Sequence, residues 1–274
     1  MVSEMVISAA VALLELSLVM LYFVQPADDA LAAEVLLGVW REDEGSLPPV
    51  FVDFDGTHDQ PHDMLEFILK TKRMGVHGVR VYLNLSIQAT VDWDTLRDRK
   101  PAVVEEIFRN LLHHDVKLML QVKDHDVHAG KFISYLFRWL PDMSRRVMVV
   151  SSSPLFLFTL GGNNKSIVKA LVWWPCSLAY VDLKCTMPRH KKIGWHLVAL
   201  AAEWIYQWCF HCGLLTRVSM ASAVVVDASH VRSRFVRHWR GRGMRAVVFA
   251  SDDPTEQEYL RRVLQVPIVT RYRS

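Results

Sequence analysis

The sequence predicts an α/β barrel of eight parallel strands, and three observations lead there. Short apolar runs recur along the chain, and segments of helical period separate most of them. The alternation continues to the C-terminus, as in repeated strand–helix units and unlike separate all-α and all-β parts. A chain of 274 residues suits one large core of this kind. A doubly wound open sheet is the runner-up, but no Gly-rich phosphate turn follows the first strand.

The elements are read in chain order. Met5 to Val24 is an apolar run of about 20 residues, interrupted only at Glu15, and matches a bilayer core of roughly 30 Å. Residues 1–27 are therefore expected to form an N-terminal transmembrane helix. Ala30-Leu31-Ala32 looks like a small-residue cleavage site, but the length of the run and the lack of a preceding Lys or Arg favour an uncleaved anchor. No Lys or Arg flanks the run before Arg41, so the positive-inside rule does not set its orientation. Residues 28–49 read as a linker, and 50–274 as the barrel.

Strands are expected at Val50–Phe54, Val79–Leu85, Lys117–Val122, Arg146–Ser151, Lys169–Trp173, Ala221–Val226, Arg245–Ala250 and Pro267–Thr270. Helices are expected at Pro61–Met74, Val103–His113, Ala129–Leu140, Leu197–Cys212, His230–Arg240 and Thr255–Val263. An apolar, aromatic insert covers about 186–220. Between Ile193 and Met220 it carries Trp195, Trp204, Trp208 and Phe210 with only Glu203 and Arg217 charged. Such a segment suits a helix lying on a membrane, a contact for a protein partner, or a barrel helix packed on its own sheet.

Composition narrows the classes. Hydrophobic residues make up 51% of the chain, above an ordinary soluble protein, which points toward membrane contact. The net charge of +3 is scattered, so nucleic acid is not an expected partner. Four cysteines do not make a dense disulfide framework. Cys209-x-x-Cys212 lacks the second ligand pair of a zinc site and the strand–turn–helix setting of a redox motif.

The most informative stretch is Val50 to Leu85. An apolar strand enters a polar loop with Gly56 and Pro61, a helix follows, and Gly75-x-x-Gly78 turns into the next strand. This layout resembles the first unit of the glycerophosphodiester phosphodiesterase family. There the first strand ends in His-Arg-Gly, a Pro-Glu-Asn-Thr box opens the helix, and Gly-Ala-x-Gly-Val-Glu-x-Asp ends the second strand. Here Asp53-Phe54 stands for His-Arg, His62-Asp63-Met64 for Glu-Asn-Thr, and Arg80-Val81-Tyr82 for Glu-x-Asp. Pro61, Leu65, Gly75, Gly78 and Val79 are kept. The resemblance continues through Gln121-Val122-Lys123 (family acid-x-Lys), Val147 to Ser152, Trp239 to Asp253 and Val269-Thr270-Arg271 (family Ile-Thr-Asp). It is strongest to a membrane-bound type within the family.

The resemblance implies a phospholipase C-like (β/α)8 barrel and hydrolysis of glycerol phosphodiesters with Mg²⁺ or Ca²⁺ on hard oxygen ligands and two histidines as acid and base. The family positions are occupied here by Asp53, Phe54, Arg80, Tyr82 and Gln121, so neither a metal nor a cofactor is expected at them. The reading is a membrane-anchored pseudoenzyme of glycerophospholipid metabolism, with its barrel lumenal or extracellular and membrane lipids or glycerophosphodiesters as ligands. Arg80, Lys123 and Tyr82 are the anion-binding candidates, and pairing of Arg80 with Asp53 or Asp55 is the structural alternative. A second reading is an active metal-dependent hydrolase with a remodelled loop (Asp53, Asp55, His58, His62). A third is a phosphatase with Asp53 as nucleophile, since Asp53-x-Asp55-Gly56-Thr57 resembles the haloacid-dehalogenase start.

Overall fold

The structure is a computed structural model. It describes residues 28–38, 47–53, 66–67, 70–73, 75–83, 116–122, 127–163, 166–182 and 185–271. The expected anchor (Met5 to Val24) and the expected helix Val103–His113 lie outside these residues.

Eight parallel strands close into a barrel in sequence order. They are β1 (Val50–Asp53), β2 (Gly78–Leu83), β3 (Lys117–Val122), β4 (Val147–Ser151), β5 (Val168–Val172), β6 (Ala223–Asp227), β7 (Arg245–Phe249) and β8 (Ile268–Arg271). The last pairs with the first, from Val50↔Ile268 to Asp53↔Arg271. Each strand lies within two residues of its expected span. Strands buried on both faces read as continuous Val-rich runs, and all five residues of β4 and of β5 are buried. Described helices are α1 (Asp29–Leu37), α2 (Val127–Trp139), α3 (Pro154–Asn163), α4 (Ile193–His211), α5 (Leu214–Val218), α6 (Ser233–Arg240) and α7 (Pro254–Arg262). Residues 66–67 and 70–73 are also helical, inside the span expected at Pro61–Met74.

Period-two alternation divides the core into two shells. Phe51, Met119, Met148, Ala170, Val225 and Val247 fill the inside of the barrel. Their sequence neighbours, such as Leu118, Val149 and Val224, face the helical layer, where Ile133, Phe210 and Trp239 pack.

Within the stretch expected as a linker, Asp29–Leu37 forms a helix. Asp28 caps α1 by accepting from the Ala30 amide at 3.0 Å, and Gly38 ends it at φ 61°. Ala32, Val35 and Leu36 are buried with Met148, Val168 and Phe51, so the helix closes the inner core. Arg245 at the start of β7 pairs with Asp29. Its nine residues are apolar on most sides, which hides the helical period when the sequence is read alone. The same cause hid α3, where Phe156, Leu157 and Leu160 are buried and Leu155 is exposed.

The Gly75-x-x-Gly78 turn has a steric basis. Gly75 adopts φ 75°, a conformation that L side chains rarely take. A Cβ on Gly78 would meet the Phe51 ring at 2.5 Å and the Lys117 carbonyl at 2.7 Å. Gly78→Ala is expected to cost roughly 1–3 kcal/mol of stability, as overpacking against backbone does. Urea denaturation measures this, and an unchanged midpoint would contradict the close approach.

Lys169 is 2% exposed on the outer face of β5, and its Nζ donates to the Leu157 carbonyl of α3 at 3.5 Å. Burial pulls its pKa down to about 7. The unfolded chain binds the extra proton between pH 7 and the ordinary lysine value of 10.5, so this group makes stability rise with pH there. The slope contributed is up to about 1.4 kcal/mol per pH unit. Lys169→Met is expected to raise the denaturation midpoint at pH 7 and to flatten its rise toward pH 10.

Candidate functional site

Strand parity sends Asp53 (β1), Arg80 and Tyr82 (β2), Gln121 (β3), Asp227 (β6), Phe249 (β7) and Arg271 (β8) toward the C-terminal mouth, where barrels of this class build their sites. A cavity of about 720 Å³ opens there, and all of these residues line it. Trp174, just past β5, and Asp252 and Glu256 complete much of the wall.

The Arg80 guanidinium is the centre of one side. It is 6% exposed. Its Nε donates to Gln121 Oε1 at 2.8 Å, its Nη1 to Asp53 Oδ2 at 3.3 Å, and its Nη2 to the Tyr82 hydroxyl. Tyr82 in turn donates to Asp53 Oδ2 at 3.3 Å. The guanidinium lies 4.2 Å from the Phe249 ring centre and 4.6 Å from that of Tyr82. Phe249 stacks on Trp174, with centroids 5.2 Å apart and planes 4° apart. Burial lowers the Arg80 pKa while Asp53 and Tyr82 raise it, and an arginine so far from neutrality stays a cation. Burial pushes the Tyr82 hydroxyl up, with Arg80 pulling it back.

The register adds a second arginine. Asp53 pairs with Arg80 on β2 and with Arg271 on β8, so one carboxylate stands between two guanidinium-bearing positions. Opposite them, Asp227 accepts from the Ser229 amide at 3.0 Å, and Glu256 accepts from the Ser251 amide at 2.7 Å. Among the described charged residues lining the cavity, Asp53, Asp227, Asp252 and Glu256 are acidic and Arg80 and Arg271 are basic. Arg80 and Arg271 thus flank Asp53 on the β8–β1–β2 side, and the other three carboxylates stand on the β6–β7 side.

A divalent cation does not fit among Arg80, Tyr82 and Gln121, because the guanidinium repels it and is already bound to both other side chains. At about 4 Å, each unit of like charge costs roughly 4 kcal/mol at an effective dielectric near 20. Among the described residues, no group of three or more His, Cys, Asp and Glu side chains could hold a metal.

Of the residues singled out from sequence, Asp53, Arg80, Tyr82 and Gln121 come together. Phe54, Asp55, His58, His62 and Lys123 lie outside the described residues. Cys209 and Cys212 are free, and the Cys212 thiol donates to the Cys209 carbonyl at 3.3 Å. Asp227, Ser229 and Glu256 were not anticipated. Asp227 was accessible to reasoning, because it is the polar residue that ends a Val run on the inward parity. Glu256 was not, since a helix position only reaches the mouth through the packing of α7. Cys176 and Cys185 form a disulfide that closes the loop after β5, a pairing the four cysteines did not specify.

No family model matches the chain. It is 21% identical to human glycerophosphodiester phosphodiesterase 1 and 20% identical to the bovine protein, over 78% of this chain and 75% of each relative. Among solved structures, a glycerophosphodiester phosphodiesterase of Parabacteroides distasonis superposes with a TM-score of 0.52 at 10% identity, covering 81% of this chain and 92% of that one. A Silicibacter pomeroyi protein assigned to the same class gives 0.55 at 13%, covering 88% and 93%. These structures share the barrel fold.

Arg80→Met is expected to destabilise the chain by about 3–5 kcal/mol, because it removes the cation paired with the Asp53 carboxylate in the mouth. Adding Asp53→Asn should recover part of that loss. Guanidinium chloride denaturation of the two variants measures both, and a neutral Arg80→Met would mean that the cluster is not a structural unit.

Proposed function

We infer that this member of the glycerophosphodiester phosphodiesterase family holds a glycerophosphodiester-type headgroup at its mouth without hydrolysing it. One observation carries the reading. Arg80 stands where the resemblance puts a cation-binding acid, and Arg271 where it puts the Asp of the last motif, on either side of Asp53. Reversing the sign of those positions turns a cation site toward an anion site. Arg80 spends donors on Asp53, Tyr82 and Gln121, but a guanidinium has five N–H groups. Its remaining donors and those of the exposed Arg271 suit a phosphate. The carboxylates of Asp227, Asp252 and Glu256 supply acceptors for glycerol hydroxyls.

The chemistry of hydrolysis lacks its parts on this side. An arginine that stays protonated cannot take a proton from water, and the tyrosine beside it is pushed away from ionising. The ligand is on this reading a membrane lipid or a free glycerophosphodiester, with the chain anchored by residues 1–27 and the barrel on the lumenal or extracellular side. The Cys176–Cys185 disulfide supports that side, because such bonds persist in oxidising compartments.

The test uses the full chain in detergent, since α1 belongs to the barrel. Glycerophosphodiester hydrolysis is followed with Mg²⁺, with Ca²⁺ and with EDTA, and binding of sn-glycerol 3-phosphate by calorimetry. The expectation is binding without turnover. Arg271→Ala should weaken binding by about tenfold or more with the denaturation midpoint unchanged, the usual scale for a charged hydrogen bond. Metal-dependent turnover that disappears in His62→Ala would replace this reading with a remodelled hydrolase.

A further inference from the structure

The helix α4 carries its polarity the wrong way round for a protein in water. Leu197, Val198, Ala201, Trp204, Ile205 and Trp208 follow one another at spacings of one, three or four residues and are all exposed. Trp204 is 70% exposed and Trp208 60%. Its only acidic residue, Glu203, is 4% exposed on the opposite face, and the helix contains no Lys or Arg. Glu203 Oε2 accepts from the backbone amides of Leu178 and Ala179 at 2.6 and 3.3 Å, pinning the disulfide-closed loop to the helix. Phe210 on the inner face is fully buried and stacks on Trp173 at 4.5 Å. The helix is therefore fixed in orientation, with its charge inside and its tryptophans outside. A contiguous apolar strip of this size marks an interaction surface.

Charge says what covers it. His190, Lys191 and Lys192 are exposed immediately before α4, and Val181 and Met187 of the same loop are also exposed apolar residues. Cations at a helix N-terminus oppose the macrodipole, and Lys192 offers no side-chain cap, so their placement does not serve the helix itself. Tryptophans flanked by lysines match the boundary between acyl chains and anionic headgroups. A membrane span is not the explanation, because Ala199, Glu203 and Phe210 pack into the protein and no described helix is long and apolar enough to cross.

We propose that the outer face of α4, with Lys191 and Lys192, docks the barrel onto an anionic lipid bilayer, the helix lying in the interface. The docked face runs beside the mouth, since Trp173, which stacks on α4's Phe210, directly precedes the mouth residue Trp174.

The experiment reconstitutes the full chain in vesicles of brominated phosphatidylcholine, with and without phosphatidylserine, and reads tryptophan quenching. The run Met5 to Val24 contains no tryptophan, so an anchor alone gives no signal from its own residues. Strong quenching is expected with phosphatidylserine, and its loss in Trp195→Phe/Trp204→Phe/Trp208→Phe, which keeps the ring bulk and the fold. Lys191→Gln/Lys192→Gln should shift the docked fraction by about fivefold per lysine, an effect that salt erases. Quenching unchanged by the triple variant overturns the proposal. So does a detergent-stable dimer that the same variant dissociates, because a second copy would then cover the face.

Discussion

A guanidinium withdrawn from water must find acceptors for its N–H groups, and that requirement organises the mouth of this barrel. Arg80 reaches Asp53 and Gln121 on the two neighbouring strands and Tyr82 on its own, and lies against aromatic rings. None of these partners could be replaced singly without leaving a buried polar group. Position and partner are therefore coupled: once arginine stands on β2 in place of an acid, the facing residues must be acceptors. The cluster forms one wall of the mouth, and Arg271 stands on the other side of Asp53.

Adjacent tryptophans after β5 connect this wall to the outside of the molecule. Trp173 turns outward onto Phe210 of α4, while Trp174 turns inward onto Phe249 beside Arg80. The loop that follows is closed by Cys176–Cys185 and tied to α4 through Glu203. Asp182 stiffens it further by accepting from Thr186 and Met187, which holds its carboxyl down to about 2. A buried glutamate bonded to backbone amides thus does for α4 what a hydrophobic stripe does for an ordinary barrel helix. That frees the tryptophans for the outer face.

Much of the fold was legible in the chain. Buried parallel strands must be short and apolar, so Val-rich runs announced all eight. Helices with one polar face, such as α6 and α7, were legible for the same kind of reason. Those without a polar face were not: α1 reads as a linker and α3 as nothing, because period is the only local signal and uniform apolarity erases it. At the site, parity placed Arg80 and Tyr82 on one face, the family resemblance pointed to Gln121, and the pairing of Arg80 with Asp53 or Asp55 was among the alternatives. Asp227 and Glu256 join them from elements far along the chain, where nothing local ties a polar residue to the mouth.

By itself, then, the sequence determined the barrel, the alternation of faces along each strand, and which residue types stand at the strand ends. These depend on local periodicity and residue identity. Tertiary structure decided what those residues do. Only the closed sheet sets Asp53 between β2 and β8 with an arginine on either hand, because hydrogen-bond register across a barrel is a global property. Only packing shows which face of α4 is outside. A run apolar on nearly every side carries no local signal of its buried face, and it is Glu203 with its two amide partners that fixes the choice.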